Sequence, residues 1–313
     1  LMKRLRQSNS NYWISIAGGI LFLGAASWLT VNHVDQEITM RRFRDQLIKL
    51  NDQYLKNNVP VVNQYKLNLK HEGGKVSLFA DMTVRNRGNE ALDTIIFSIN
   101  PGFKVDKCSI NGQESRYNQK QHLVLIDKKL PVGDSAHITL NYGGYPDERV
   151  CYLEVPNDLV FRGEHEMLFR LPKKFSFLNS EYLMFTPELL WYPVPGTGFS
   201  SKNVAGFPKN FSDFQLTAEV GSNMRVLSQG KPTQQDNKWT FAPKEPLTSL
   251  SVIAGKYQRD SLTVGGITYN IYYKKDHDFY KPFFSEVQDT IPSLINRVMD
   301  DYESQIHLDY PFR

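Results

Sequence analysis

The stretch that settles the fold class reads Pro243-Lys244-Glu245-Pro246-Leu247-Thr248, followed by Ser251-Val252-Ile253-Ala254-Gly255-Lys256-Tyr257. Closely spaced prolines are typical of a turn, and the apolar run after them is typical of a buried strand. Residues 267–273 predict one more strand. The apolar residues of 284–302 recur at three and four positions, which predicts a helix with one apolar stripe. Pro292 lies inside that pattern, so we expect either a kink there or the junction of two shorter helices.

Upstream of this stretch, residues 62–258 show an apolar period of two rather than a helical period, most clearly over residues 76–84. Turn signals such as Asn111-Gly112 separate several of the short runs. The other strand candidates are Thr94–Ile99, His122–Ile126, His137–Tyr142, Phe214–Val220, Met224–Ser228, Lys238–Phe241 and Ser249–Tyr257. Many short strands at this spacing predict a mainly β fold, either an antiparallel sandwich or a saddle-shaped sheet.

Several segments together carry a resemblance to a known family. They are Tyr65-Lys66-Leu67-Asn68-Leu69, the segment 130–144, the core Trp191-Tyr192-Pro193, the strand Val252–Tyr257 and the corner Tyr310-Pro311-Phe312. In these segments the chain resembles the aminopeptidase N family of zinc metallopeptidases. It departs from the family over residues 185–196, where many members carry a Cys-x-Asp loop and this chain keeps only the Trp-Tyr-Pro core.

The resemblance implies a β-rich N-terminal domain over residues 62–258 and the start of a thermolysin-like α/β catalytic domain over residues 259–313. The activity it implies is removal of N-terminal amino acids from peptides by a longer parent chain that binds zinc. In the family, the substrate-clamping G-A-M-E-N strand and the zinc-binding H-E-x-x-H helix follow the Tyr-Pro-aromatic corner. We therefore expect both motifs after Arg313, and we expect no catalytic or metal-binding residue among residues 1–313, which alone should be inactive.

One substrate contact is implied for the N-terminal domain itself. In the family, a Gln or Glu just before the Trp-x-Pro region binds the free amino group of the substrate. The acidic residue at the comparable place is Glu188, although the family's usual Thr-Gln is Thr186-Pro187 in this chain. The alternative is a solvent-facing Glu on a loop, because Glu is seldom buried without a partner.

Within the family, the chain looks most like the branch that is joined to the permease of a bacterial ABC transporter. This branch implies transporter subunits as partners, beside peptide substrates and the lipid bilayer. Two other functions stay open. One is a non-catalytic extracytoplasmic module of an ABC transporter permease, which binds peptides or a partner protein. The other is a plain β-sandwich binding or adhesion domain on a membrane stalk.

Residues 13–31 contain no charged residue and are about long enough to cross a hydrocarbon layer of roughly 30 Å. Trp13 and Trp28 lie near the two ends, where amphipathic rings favour the headgroup region. A secretory signal peptide is the alternative, but no A-x-A-like cleavage site follows cleanly. We expect a transmembrane helix after a basic segment of residues 1–12, in a bacterial inner membrane. The β domain is expected outside the cytoplasm, although basic residues on both sides of the span make the charge rule nearly neutral.

Residues 32–61 are expected to form a juxtamembrane amphipathic helix and a linker. Phe43, Leu47, Leu50 and Tyr54 recur at helical spacing, and Arg44 is one of the charged residues assigned to the other faces. Such a helix could lie on the membrane surface, or it could pack against a neighbouring subunit or other spans of the same chain.

Other kinds of site find little support in the sequence. The net charge is +4, from 37 basic and 33 acidic residues without a long basic run, which does not favour nucleic acid. His165-Glu166 resembles the start of a zincin motif, but Phe169 occupies the position of the second His. Cys108 and Cys151 could form one disulfide or remain two buried thiols, and neither lies at zinc-ligand spacing.

Overall fold

The computed structural model describes residues 2–55, 58–153, 176–197, 210–276 and 290–309. Within these residues, two α-helices flank a β region: α1 covers Met2–Tyr54 and α2 covers Ile291–Ile306. The strands in chain order are β1 Val61–Glu72, β2 Lys75–Arg85, β3 Ile95–Ser98, β4 Phe103–Ile110, β5 Gln113–Glu114, β6 Tyr117–Lys120, β7 Leu123–Ile126, β8 Ser135–Gly144, β9 Ser176–Leu178, β10 Tyr182–Phe185, β11 Val194–Pro195, β12 Asp213–Glu219, β13 Arg225–Ser228, β14 Pro232–Gln235, β15 Lys238–Phe241, β16 Val252–Gly255, β17 Tyr257–Val264 and β18 Ile267–Lys274. The mainly β fold predicted from the sequence is confirmed.

The largest sheet has eight strands in the order β14-β15-β12-β1-β2-β8-β4-β5. Its pairs are antiparallel except for β1 and β12, which run parallel with Tyr65 opposite Phe214. Side chains along β1 and β2 alternate between buried and more exposed positions. This alternation arises because one face of the sheet packs on the core while the other faces solvent.

Three smaller sheets complete the β region, in the orders β13-β16-β10-β9, β11-β3-β7-β6 and β17-β18. Buried residues of the large sheet and of both four-stranded sheets form one hydrophobic core, which includes Trp191, Phe97, Phe103, Phe185 and Phe241. The predicted domain boundary between residues 258 and 259 falls inside β17, which pairs along its whole length with β18.

Helix α1 is one continuous helix of 53 residues, about 80 Å long at 1.5 Å per residue. Over Trp13–Tyr54 it is long and apolar enough to cross a membrane, by length and composition. Its last turns pack on the β domain. Leu47 is fully buried in the hydrophobic core, and Phe43 and Ile48 pack against that core. The β domain of the same chain therefore covers this apolar face, an arrangement that the sequence analysis did not include.

Helix α2 begins at Ile291, so Pro292 occupies its first turn and does not kink a longer described helix. Proline is favoured there because the first N–H groups of a helix have no intrahelical partner. The predicted apolar stripe is present at Leu294, Val298 and Tyr302, whose side chains are 50%, 49% and 66% exposed. The other predicted stripe positions near Phe284 and Val287 lie outside the described residues.

Candidate functional site

Three of the segments that carry the family resemblance, those of Tyr65, Tyr142 and Trp191 to Pro193, meet in one buried aromatic cluster, while Tyr310-Pro311-Phe312 lies outside the described residues. Tyr65 of β1 stacks on Phe214 of β12 with ring centroids 4.9 Å apart. The ring of Tyr192 stands edge-on to Tyr65 at 5.4 Å and edge-on to Trp191 at 5.0 Å. Edge-to-face and offset pairs are the favoured geometries for aromatic rings, so this cluster adds specific contacts to its burial.

Two hydrogen bonds tie the Trp-Tyr-Pro segment to the segment that precedes β16. The indole Nε1–H of Trp191 donates to the carbonyl oxygen of Leu250 at 2.9 Å, and the backbone N–H of Leu250 donates to Tyr192 Oη at 3.2 Å. Trp191 and Leu250 are fully buried, and Tyr192 is nearly so. Because buried polar groups are costly when unpaired, these reciprocal bonds fix the two segments against each other.

Tyrosines from the central strands hold the same segment from the opposite side. Tyr142 Oη donates to the carbonyl oxygen of Trp191 at 3.2 Å, and Tyr65 Oη donates to that of Pro193 at 2.9 Å. Burial raises the pKa of Tyr65 and Tyr142 well above its ordinary value, and burial raises the pKa of Tyr192 to about 12. All three hydroxyls therefore stay protonated at neutral pH and remain available as donors.

The turn that carries Glu188 is also held in place by hydrogen bonds. Residues Pro187–Leu189 form one 3-10 turn, and Leu190 ends it in the left-handed conformation with φ 56°. The Nδ2–H of Asn100 donates to the carbonyl oxygen of Leu189 at 2.7 Å, and the N–H of Asn100 donates to that of Leu190 at 2.8 Å. These bonds fix the backbone on which Glu188 stands.

The side chain of Glu188 is half-buried, and its Oε1 accepts a hydrogen bond from Tyr152 Oη at 3.3 Å. The hydroxyl of Thr186, two residues earlier, is buried without a hydrogen-bond partner among the described residues. The carboxylate of Glu188 is thus neither buried in the core nor fully solvent-facing. Its substrate-binding role stays a prediction.

The described residues do not form the zinc site of the family that the sequence resembles. They contain no group of three His, Cys, Asp or Glu side chains that could hold a metal ion. His165 and Glu166 lie outside the described residues. Elsewhere His71 contacts the carbonyl oxygen of Asn179 at 2.7 Å, and His137 contacts Asp81 at 2.5 Å on the outer face of the large sheet.

Cys108 and Cys151 are both free and buried, which corresponds to the two-thiol alternative. Burial raises the pKa of Cys108 to about 11. Burial, followed by the carboxylates of Glu148 and Glu188, raises the pKa of Cys151 to about 12. Since the thiolate is the reactive form, both cysteines are unreactive as nucleophiles at neutral pH.

Three hydrogen bonds from the guanidinium of Arg44, called the Arg44 clasp below, form a buried polar contact that the sequence did not reveal. Arg44 is only 3% exposed, and its guanidinium donates to the carbonyl oxygens of Arg149 at 3.1 Å, Cys151 at 2.7 Å and Tyr152 at 2.8 Å. Its position three residues before Leu47 places it on the same face of α1, and that spacing was the signal that could have found it. The clasp also joins α1 to Tyr152, the partner of Glu188.

Two further contacts extend the junction between α1 and the β domain. Asn51 Oδ1 lies 2.6 Å from Nε2 of the fully buried His122, and Lys120 Nζ donates to Tyr54 Oη. Burial lowers the pKa of His122 to about 4, so this imidazole is neutral at pH 7. With Arg44, these pairs fasten the last three turns of the helix.

No family model and no curated protein matches this sequence. Solved structures with a similar backbone include an M1 zinc metallopeptidase from Deinococcus radiodurans, at 18% identity and a TM-score of 0.48, covering 68% of this chain and 46% of that one. A mutant of it bound to a Tyr-Ser-Ala substrate gives a TM-score of 0.47 with the same identity and coverage. A two-domain M1 zinc metallopeptidase mutant bound to L-tryptophan also gives 0.47 and 18% identity, covering 68% of this chain and 47% of that one. The chain thus spans about half the length of these structures.

Proposed function

We propose that this chain is the membrane-anchored N-terminal portion of an aminopeptidase N-like zinc metallopeptidase, whose parent chain removes N-terminal amino acids from peptides. The observation that supports this proposal is the convergence of the sequence motifs. Tyr65, Tyr142 and the core from Trp191 to Pro193 come from separate motif segments, and they contact one another in a single buried cluster. Segments matched independently along the sequence would meet in this way if together they define one domain.

In this proposal, the described residues contribute substrate positioning rather than the metal centre. The described residues hold no zinc site, so in this proposal the zinc ligands lie in a continuation of the parent chain. Glu188 would bind the free α-ammonium group of a peptide, since a carboxylate suits an ammonium group in a partly desolvated cleft. The clamped turn and Tyr152 would hold the carboxylate in place for that contact.

Residues 13–31 of α1 would anchor this domain in a lipid bilayer, with the β domain outside the cytoplasm of a bacterial cell. The supporting observation is exposure: Ile20, Leu21, Phe22 and Leu23 in this part of the helix are at least 65% exposed. Large apolar side chains in such a continuous exposed run are expected to face lipid rather than water.

A second candidate function is a non-catalytic extracytoplasmic module of an ABC transporter permease, which binds peptides or a partner protein. The continuity of α1 favours it: one helix runs from the apolar run into the β domain, where Arg44 fastens it. A displacement of the span would therefore be transmitted to the β domain. Transporter subunits would then be the partners.

The first test measures bound zinc and chelator-sensitive release of an N-terminal amino acid, on the parent chain extended well past residue 313 and on residues 1–313 alone. The aminopeptidase proposal expects one zinc per long chain and activity only in the long form. Absence of both in a well-folded long chain would reject the peptidase and leave the transporter module.

The role of Glu188 has its own test on the same long form. Glu188→Gln should raise KM for peptides with a free N-terminus by about tenfold, roughly the value of one charge-assisted contact, with a much smaller effect on kcat. Glu114→Gln, on an exposed strand at the sheet edge, is the matched control and should leave both constants unchanged. An unchanged KM for Glu188→Gln would remove Glu188 from the substrate site.

A further inference from the structure

An exposed stalk, residues 31–42, leads from the last residue of the apolar run to the docked end of α1. Val31, Val34 and Ile38 of this stalk are 68%, 48% and 40% exposed. Their spacing of three and four residues is that of the a and d positions of a heptad, which place one apolar seam along a helix. The a residues, Val31 and Ile38, are β-branched, as in two-stranded parallel coiled coils, and Val34 at d is β-branched as well.

The seam lies on the side of the helix that faces away from the β domain. Leu47 follows Val31 by 16 residues and Asn51 follows it by 20, so at about 100° per residue they lie about 160° and 200° around the helix axis. Together with Arg44, Leu47 and Asn51 are buried contacts of α1 with the β domain. A second helix can therefore lie along the seam without displacing that domain.

We propose that the seam binds the same stalk of a second copy of this chain, as a parallel two-helix coiled coil. Charge complementarity selects this occupant. With Val31 and Ile38 at a, Glu37 occupies g and Arg42 occupies the following e position. In a parallel pair, g of one helix lies beside the following e of the other, so Glu37 of each copy faces Arg42 of its partner.

Other residues of the stalk fit the same arrangement. His33 lies 3.6 Å from Glu37 within one helix, and the Glu37 side chain is 44% exposed. Gly24 and Ser27 continue the heptad into the apolar run, where small side chains allow two helices to approach closely. The parallel direction of the two helices depends on the proposed membrane span. The position of the seam on α1 does not depend on it. The pairing would hold two β domains side by side, each about 18 Å beyond Val31 by helix rise.

Oxidative cross-linking of single-cysteine variants in the full chain, purified in detergent micelles, tests the seam. Cys108 and Cys151 are buried, so an introduced cysteine is the reactive one. Val31→Cys and Ile38→Cys should each form disulfide-linked dimers, and Gln36→Cys, on the opposite f position, should form at least about fivefold fewer. Linkage at only one of the two seam positions indicates an antiparallel crossing and overturns the proposal. Equal linkage at all three positions, or none at the seam, overturns it as well.

A charge exchange tests the identity of the partner. Glu37→Arg alone and Arg42→Glu alone should each raise the dimer dissociation constant about 3- to 10-fold, measured by sedimentation equilibrium in density-matched micelles. The double variant should return it to within about twofold of the original, because the two pairs re-form with reversed sign. His33→Ala removes only the intrahelical contact and should change nothing. If the double variant stays as weak as the single ones, the second copy is not the occupant. Neither experiment depends on zinc or peptidase activity, so its failure would leave the proposed function untouched.

Discussion

The last turns of α1 and the whole of α2 have the same kind of sequence pattern but different environments. Each presents apolar residues at three and four positions, yet Leu47 of α1 is fully buried while Leu294 of α2 is 50% exposed. Helix α1 also inserts Arg44 and Asn51 into polar contacts with the β domain, whereas α2 has no buried residue. Apolar periodicity thus identifies which face of a helix can be buried, and only the tertiary contacts show what that face packs against.

The largest effect on this difference should come from removing the Arg44 clasp. Arg44→Ala deletes a buried guanidinium and leaves three backbone carbonyls without their donor, which should lower the free energy of unfolding by roughly 3–5 kcal/mol. Lys49→Ala, on an exposed position of the same helix, should change it by less than about 0.5 kcal/mol. Urea unfolding in micelles, followed by tryptophan fluorescence, measures both. Equal small losses in both variants would show that the docking of α1 does not depend on the clasp.

The apolar halves of the two helices are compared directly by the same substitution in each. Leu47→Ala should destabilise the chain by about 3 kcal/mol, because it leaves a cavity in a packed core. Leu294→Ala should cost less than about 0.5 kcal/mol in residues 1–313, because its side chain is already half in solvent. The measurement is again the unfolding free energy. A loss at Leu294 as large as that at Leu47 would contradict the exposed face of α2.

Acid should loosen the docked helix through His122. Burial lowers the pKa of this imidazole to about 4, below its ordinary value of 6.5, so the folded chain binds the proton less well than the unfolded chain. The stability that depends on neutral His122 is therefore complete above about pH 6.5 and is lost as the pH falls toward 4, by about 2–3 kcal/mol. The difference in unfolding free energy between the original chain and His122→Gln, measured at pH 7.5, 5.5 and 4.5, isolates this contribution from the carboxylates. A difference that stays constant with pH would show that the pKa of His122 is the same in the folded and unfolded chains, which would contradict its burial in a neutral form.

Long strands with one buried face and regular pairing were predictable from the sequence. The alternation over β2 and β8 was read correctly, because each strand faces the core at every second residue. Strand β4 was not predicted, because the register shift between Val105 and Lys107 interrupts its alternation of buried and exposed residues. Strand β17 was not predicted, because residues 258–261 and Thr263 are exposed on both faces of the hairpin. Its sequence therefore has no alternation of apolar and polar residues.

The site was predictable only as far as local sequence reaches. The turn that carries Glu188 follows from Thr186, Pro187 and the Trp-Tyr-Pro core that comes after it. Arg44 contacts carbonyls that lie 105 to 108 residues later in the chain, and no local pattern encodes such a pairing. Helical spacing could have placed Arg44 beside Leu47, but the partner required the fold.

The smallest effect on the free energy of unfolding is expected at the exposed centre of α2. Val298→Lys places a charge where the side chain is 49% exposed, so in residues 1–313 it should alter the unfolding free energy by less than about 0.5 kcal/mol. Val132→Lys, at a turn position of the β domain with 52% exposure, is the matched control and should behave alike. In the proposed longer chain the two variants should differ. A catalytic domain that covers the stripe would make Val298→Lys cost about 2 kcal/mol or more, because an unpaired charge would be buried, while Val132→Lys would stay neutral. The measurement is the free energy of unfolding of both variants, each in residues 1–313 and in the longer chain. Equal, small changes at both positions in the long chain would mean that the proposed catalytic domain does not pack on α2.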